Sequence, residues 1–135
     1  MVTGPTSSGK SSLALWLAEQ LDGELICCDS MQVYRGMDIG TAKPTETERK
    51  RISHHLFDLV NPDETYSVGR FVRESEEIIN KLKLRKKIPI LVGGTGMYLR
   101  SLLFGLSQIP EVSSNIKLQV NKWQKEEGTA ACWQK

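Results

Sequence analysis

Eight residues near the start of the chain carry its clearest chemistry. Gly4-Pro5-Thr6-Ser7-Ser8-Gly9-Lys10-Ser11 fits G-x-x-x-x-G-K-[ST], the loop that cradles phosphate groups. Gly4 and Gly9 open backbone angles closed to residues with a Cβ, so the loop can wrap tightly round a phosphate. The amides of Ser7 to Ser11 then point inward as a nest, backed by the positive end of the following helix dipole. Lys10 adds a mobile full charge for the terminal phosphate, and the Ser11 hydroxyl suits the shell of a Mg²⁺ ion. A second candidate is Asp29, which follows the apolar run Leu25-Ile26-Cys27-Cys28; the competing reading of Asp29-Ser30 is plain turn chemistry. Gly93-Gly94-Thr95-Gly96 follows another apolar run and places a hydroxyl where many ATPases carry an acid, which leaves Asp29 as the leading carboxylate. His54, His55 and Asp58 suggest a metal at first sight. Neighbours on an extended chain face opposite ways and cannot easily share one ion, so both histidines are read as structural.

These residues need a scaffold, and the pattern around them supplies one. Leu13, Leu17 and Leu21 recur at i, i+4 and i+8, an apolar stripe on a helix that begins inside the loop motif and stops at Asp22-Gly23. Leu25 to Cys28 and Ile88 to Val92 read as buried parallel strands. Ligands collect at the carboxyl ends of strands in an open α/β sheet, so Asp29 is expected on the side of the phosphate loop. Only Met1, Val2 and Thr3 precede that loop, where a strand of about five or six residues is usual; the first strand looks clipped. Met31 to Pro44 has no helical period and reads as a loop, with Tyr34, Arg35 and Lys43 as candidate contacts. Thr45-Glu46-Thr47-Glu48 has capping-box spacing and opens a short helix ending near Arg51. Ser67 is a credible N-cap for a helix with the stripe Phe71, Ser75, Ile78, Leu82. The cations Lys81, Lys83, Arg85, Lys86 and Lys87 complement the negative end of that helix dipole. Met97 to Leu103 forms a further helix stopped by Gly105, and Asn115 to Glu127 has helical character. Strand and helix alternate, which predicts an α/β fold with a parallel sheet of P-loop NTPase type, truncated, over residues 1–110, followed by a polar tail over 111–135.

The bulk properties fit one soluble domain. The chain has 135 residues, 39% hydrophobic and 25% charged, with a net charge of +2 that does not by itself announce a nucleic-acid binder. No apolar run approaches the ~20 residues of a membrane span, and no signal peptide precedes the phosphate loop. Cys27 and Cys28 are strand neighbours facing opposite ways and Cys132 is distant, a reduced-compartment pattern that predicts a cytoplasmic protein.

Four segments together closely resemble the tRNA dimethylallyltransferases, also called tRNA isopentenyltransferases. They are the phosphate loop, Asp29 to Pro44 (DSMQVYRGMDIGTAKP), His54 to Asp58, and Leu91 to Tyr98 (LVGGTGMY). The resemblance covers Met1 to about Pro110 with spacing intact, and the second segment is far more specific than the phosphate loop. It implies transfer of a dimethylallyl group from dimethylallyl diphosphate to N6 of the adenosine 3′ of the tRNA anticodon, with Mg²⁺. On that resemblance the loop Gly4 to Ser11 holds the diphosphate and Ser11 the metal. Asp29 is the general base, and the Thr95 hydroxyl lies near the reacting groups. Asp29, Ser30, Met31, Gln32 and Thr95 touch tRNA at its anticodon arm, with Lys117 as a looser match; no protein partner is implied. Members are considerably longer, with a helical insertion and further basic residues, so the chain resembles the N-terminal part of such an enzyme. The alternatives are a P-loop small-molecule kinase, told apart by its preference for ATP over the prenyl diphosphate, and a non-catalytic remnant.

Overall fold

The computed structural model describes residues 1–106 and 112–132. Strands β1 (Val2–Thr3), β2 (Gly23–Cys27), β3 (His54–His55) and β4 (Ile88–Gly93) form one parallel sheet in the order β1-β4-β2-β3. Successive side chains of a strand face opposite ways, and β2 shows the consequence. Leu25 joins Ile90 beneath helix α1 (Lys10–Gln20), while Ile26 joins the larger core under α3 (Val68–Leu84) and α4 (Gly96–Phe104). All five residues of β2 are buried, as a strand covered on both faces requires. β1 has two residues, paired with Val92 and Gly93 of β4.

The short helix α2 (Glu46–Arg51) opens with the expected capping box, both bonds of which form between Thr45 and Glu48. Ser67 caps α3 by accepting from the Arg70 amide. Gly105, at φ 83°, ends α4. The cationic cluster after α3 is partly spent on ion pairs, Arg85 with Glu24 and Lys87 with Asp22. α5 (Ser114–Cys132) contains a break at Gly128 and contributes no buried residue. The expected domain boundary at Pro110 lies outside the described residues. Among the described residues no helix is long and apolar enough to cross a membrane.

α1 stops before Asp22-Gly23 as expected, with Asp22 at φ 51°, and Gly23 also begins β2, where a Cβ would stand 2.8 Å from the Ile88 carbonyl oxygen. One expectation fails here for a physical reason. The stripe Leu13, Leu17, Leu21 is not the face that α1 lays on the sheet. Ala14, Leu15 and Ala18 are, and Leu13 and Leu21 stay 50% and 46% exposed. Two alanines let the helix backbone approach the strands closely, so the leucines occupy the adjoining arc.

Candidate active site

The carboxyl ends of β1, β2 and β4 meet at a cavity of about 440 Å³. Thr6 to Ser12 form one wall, and Asp29, Gln32 and Thr41 to Pro44 form the facing one. Leu15, Leu25, Cys27 and Val92 line its apolar base, with His54 and Phe57 at one end. In the phosphate loop Ser7 (φ 62°) and Gly9 (φ 77°) both take left-handed backbone angles, which turn successive N–H groups toward a common centre. Lys10 Nζ folds back over the loop and donates to the Pro5 carbonyl at 3.1 Å. Gly4 and Pro5 shape the loop from outside the lining; a Cβ on Gly4 would press on the Ser8 hydroxyl at 3.1 Å.

Asp29 stands in the facing wall, one residue beyond Cys28. Its Oδ1 accepts from the Met31 amide at 2.8 Å and the Gln32 amide at 3.4 Å, a local turn that fixes the carboxylate. Among the described residues Oδ2 carries no hydrogen bond. The turn chemistry of Asp29 is thus met by Oδ1 alone. Thr95 is not part of the cavity lining. Its hydroxyl accepts from the Ser30 amide at 3.0 Å and faces Ser30 Oγ at 3.4 Å, and its own amide donates to the Cys28 carbonyl at 3.1 Å. It ties the end of β4 to the segment carrying Asp29. That tie needs Gly93, where a Cβ would collide with the Cys28 carbonyl.

Gln32 is half-buried and occupied: its amide group donates to the Thr41 and Ala42 carbonyls at 2.8 and 3.2 Å, and its oxygen lies 3.1 Å from Cys27 Sγ. Met31 is 45% exposed beside it. Burial pushes both Cys27 and Cys28 up to about 12, so these thiols stay protonated and unreactive. Lys117 lies on α5, away from the cavity lining.

The sequence reading missed the network behind the facing wall. Lys43 is not an outward contact residue. Its side chain is 2% exposed and its ammonium donates to the Tyr34 carbonyl at 2.5 Å, Asp38 at 2.8 Å and Asp58 at 2.6 Å. Desolvation opposes its charge, but bonds to Asp38 and Asp58 prevail and raise its pKa. Asp58 also binds Arg49 at 2.9 Å, whose guanidinium stacks 4.2 Å over the Phe57 ring. Burial works against the Asp58 charge as well, yet Lys43 and Arg49 hold its pKa below the usual value. Leu56 adopts φ of 61°, an angle its residue type does not announce, and Asp58 adopts 53°, which Asp tolerates more readily. The histidines face opposite ways as expected. His55 Nε2 meets Glu24 at 2.8 Å, whereas His54 lines the cavity and bonds the Ile52 carbonyl at 2.7 Å through Nδ1. A carbonyl only accepts, so that Nδ1 carries the proton and Nε2 is left as an acceptor. Burial lowers the His54 pKa.

Among the described residues no three His, Cys, Asp or Glu side chains cluster as metal ligands. Ser11 and Asp29 line the same cavity with one hydroxyl and one carboxylate. Such a donor set fits Mg²⁺, which keeps several waters and takes its remaining ligands from substrate phosphates.

A parallel α/β sheet with an amide nest after its first strand and a carboxylate just past the end of β2, two strands away, defines a P-loop fold. An IPP transferase family model matches residues 32–135 and an isopentenyl transferase model matches residues 1–61; the chain belongs to the IPP transferase family. The tRNA dimethylallyltransferase of Koribacter versatilis is 47% identical over 128 residues, covering 95% of this chain and 42% of the relative. That of Geobacter sulfurreducens is 46% identical over 131 residues, covering 97% and 42%. Among solved structures, the full-length tRNA isopentenylpyrophosphate transferase of Bacillus halodurans superposes with a TM-score of 0.77 at 38% identity, covering 96% of this chain and 43% of that one. A eukaryotic dimethylallyltransferase acting on tRNA gives 0.77 at 34% identity, covering 96% and 35%. The chain thus spans less than half the length of these relatives.

Proposed function

We propose that this chain supplies the diphosphate cradle and the proton acceptor for transfer of a dimethylallyl group from dimethylallyl diphosphate to tRNA, at N6 of the adenosine 3′ of the anticodon. The observation that carries this is the pairing, across one cavity, of the nest Thr6 to Ser12 with Asp29, whose Oδ2 is free. In the reaction N6 forms a bond to the allylic carbon as the carbon–oxygen bond to diphosphate breaks. The electron pair leaves with pyrophosphate, and the amine proton passes to Asp29. An exocyclic adenine amine is a weak nucleophile, so a positioned acceptor for its proton accelerates attack. Lys10 and the loop amides stabilise the charge gathering on the departing pyrophosphate. Mg²⁺, held through Ser11 and the phosphates, would add further charge stabilisation there. Thr95 acts as a positioning residue, since its hydroxyl holds Ser30 next to the base. Ser30, Met31 and Gln32 form the rim that meets the anticodon arm, and Lys117 serves as an outlying phosphate contact. A base acted on here must leave its stack to reach Asp29. The thiols and the tRNA substrate suit the cytoplasm.

Calorimetric titration of dimethylallyl diphosphate with Mg²⁺ tests the reading directly. Binding to the wild-type chain, and at least a tenfold loss with Lys10→Ala, is the expected result. Equal affinity of the two chains, or tight ATP binding with none for the prenyl diphosphate, would refute it.

A further inference from the structure

We infer that Phe57 is the stop that sets the length of prenyl chain the cavity accepts, admitting five carbons and refusing ten. The inference rests on the proposed reaction, since it needs the donor's diphosphate seated in the loop Thr6 to Ser12. The sheet gives the cavity a direction. Its strands run β1-β4-β2-β3, and the lining residues follow that order. The phosphate loop follows β1, Val92 belongs to β4, Leu25 and Cys27 to β2 and His54 to β3, with Phe57 two residues beyond β3. Neighbouring strands lie about 4.8 Å apart, so the three steps from β1 to β3 cover roughly 14 Å. A chain leaving the loop crosses apolar Val92, Leu25 and Cys27 and then meets Phe57 and His54. The diphosphate takes up the start of that span, and each isoprene unit adds four carbon–carbon bonds of about 1.5 Å. One unit reaches toward β3. A second has the Phe57 ring in its way.

That ring is clamped. The Arg49 guanidinium lies over it at 4.2 Å, and the His54 ring meets it edge-on, with centroids 5.7 Å apart at 84°. Both clamps are themselves tied. Arg49 donates through Nε to the Pro44 carbonyl at 2.9 Å and through Nη1 to Asp58 at 2.9 Å, and His54 bonds the Ile52 carbonyl at 2.7 Å. To let a longer chain past, the ring must leave these contacts, and packed groups of this kind transmit strain rather than yield. Phe57 also packs against the main core while staying only partly buried, and it keeps its place in the cavity lining. The ion pairs of Asp58 with Lys43 and Arg49 thus hold a wall of fixed position, which a stop for chain length requires.

Calorimetry on this chain with Mg²⁺ compares dimethylallyl diphosphate with its ten-carbon homologue, geranyl diphosphate, in wild type, Phe57→Leu and Phe57→Ala. The readout is the ratio of the two dissociation constants within each chain, which cancels any change in the grip on diphosphate common to both ligands. Wild type is expected to bind the ten-carbon donor at least tenfold more weakly; a pocket that sorts apolar groups by size discriminates by about 10–200-fold for a single methylene. Phe57→Ala should shrink the ratio at least tenfold, because truncation leaves an apolar space that an apolar ligand can fill. Phe57→Leu should shrink it part of the way, and it decides the matter if the alanine chain loses the far-ultraviolet circular dichroism of wild type. A wild-type ratio near one, or a ratio that neither folded variant changes, would overturn the inference while leaving the diphosphate site standing. Failure of wild type to bind dimethylallyl diphosphate at all would overturn the proposed function, and this inference with it.

Discussion

Replacing Lys43 by Met keeps an apolar stem of similar length and removes the ammonium behind the cavity wall. Three acceptors lose their donor, and their surroundings set the size of the loss. The Tyr34 carbonyl loses its bond to a side chain that is 2% exposed, about 1 kcal/mol. Asp58 is 29% exposed and keeps Arg49, so its charge-assisted bond is discounted for screening to about 1–2 kcal/mol. Asp38 is 64% exposed and adds close to nothing. The sum is roughly 2–3 kcal/mol. With a urea slope of about 2 kcal/mol/M, the unfolding midpoint should fall by roughly 1–1.5 M. Lys43→Arg should not restore it, because a planar fork cannot reproduce three bonds from one tetrahedral centre. In a cycle with Asp58→Asn the two substitutions should couple by about 1 kcal/mol. A midpoint shift below about 0.3 M, or strict additivity with Asp58→Asn, would show that the network does not hold this wall.

Other outcomes follow from contacts elsewhere in the fold. Gly93→Ala forces a Cβ onto the Cys28 carbonyl and should lose about 3 kcal/mol or more, whereas Gly96→Ala meets nothing within 4 Å and should be neutral or slightly stabilising in thermal melts. In a chain extended to the relatives' length, Asp29→Asn should fold normally yet lose about 10²–10⁴-fold in prenyl transfer; near-normal turnover would remove its role as base. Stability should fall with acid. His54, Glu48 and Asp58 all have folded pKa values below their unfolded ones, so each contributes most above its unfolded pKa and loses that contribution as pH falls through the folded one. Urea midpoints should therefore decline first below about pH 6.5, from His54, and again below about pH 4.5, from the carboxylates. His54→Gln should remove only the upper step.

The parts of the site legible in the sequence are those that a residue type dictates locally. The phosphate loop needs small residues and a lysine, the capping box needs Thr45 and Glu48 at a fixed spacing, and an acid after an apolar run marks a strand end. Each follows from chemistry within a few neighbours. What stayed hidden depends on partners far along the chain. Lys43 reads as an outward cation because Asp58, 15 residues on, cannot be seen to approach it. The positive φ of Leu56 contradicts its residue type, and no local pattern announces it. The Leu13–Leu17–Leu21 stripe shows why a periodicity can be real and still mislead. Period identifies an apolar arc, but two alanines decide which arc lies closest to the sheet.

The two walls of the cavity are stabilised in opposite ways, and this difference bears on function. The phosphate loop is exposed from Pro5 to Gly9, and its lysine is engaged with a carbonyl of its own loop. An anion satisfies such donors better than water does, so in the proposed reaction this wall is the part that supplies affinity for the diphosphate. The facing wall has its polar groups committed already: Gln32 to Thr41 and Ala42, Lys43 to three oxygens, Asp29 Oδ1 to two amides. Its strained residues persist because the surrounding bonds over-determine them. A wall of this kind does not reshape itself to a ligand. It fixes the place of Asp29 Oδ2, the oxygen that takes the amine proton in the proposed reaction.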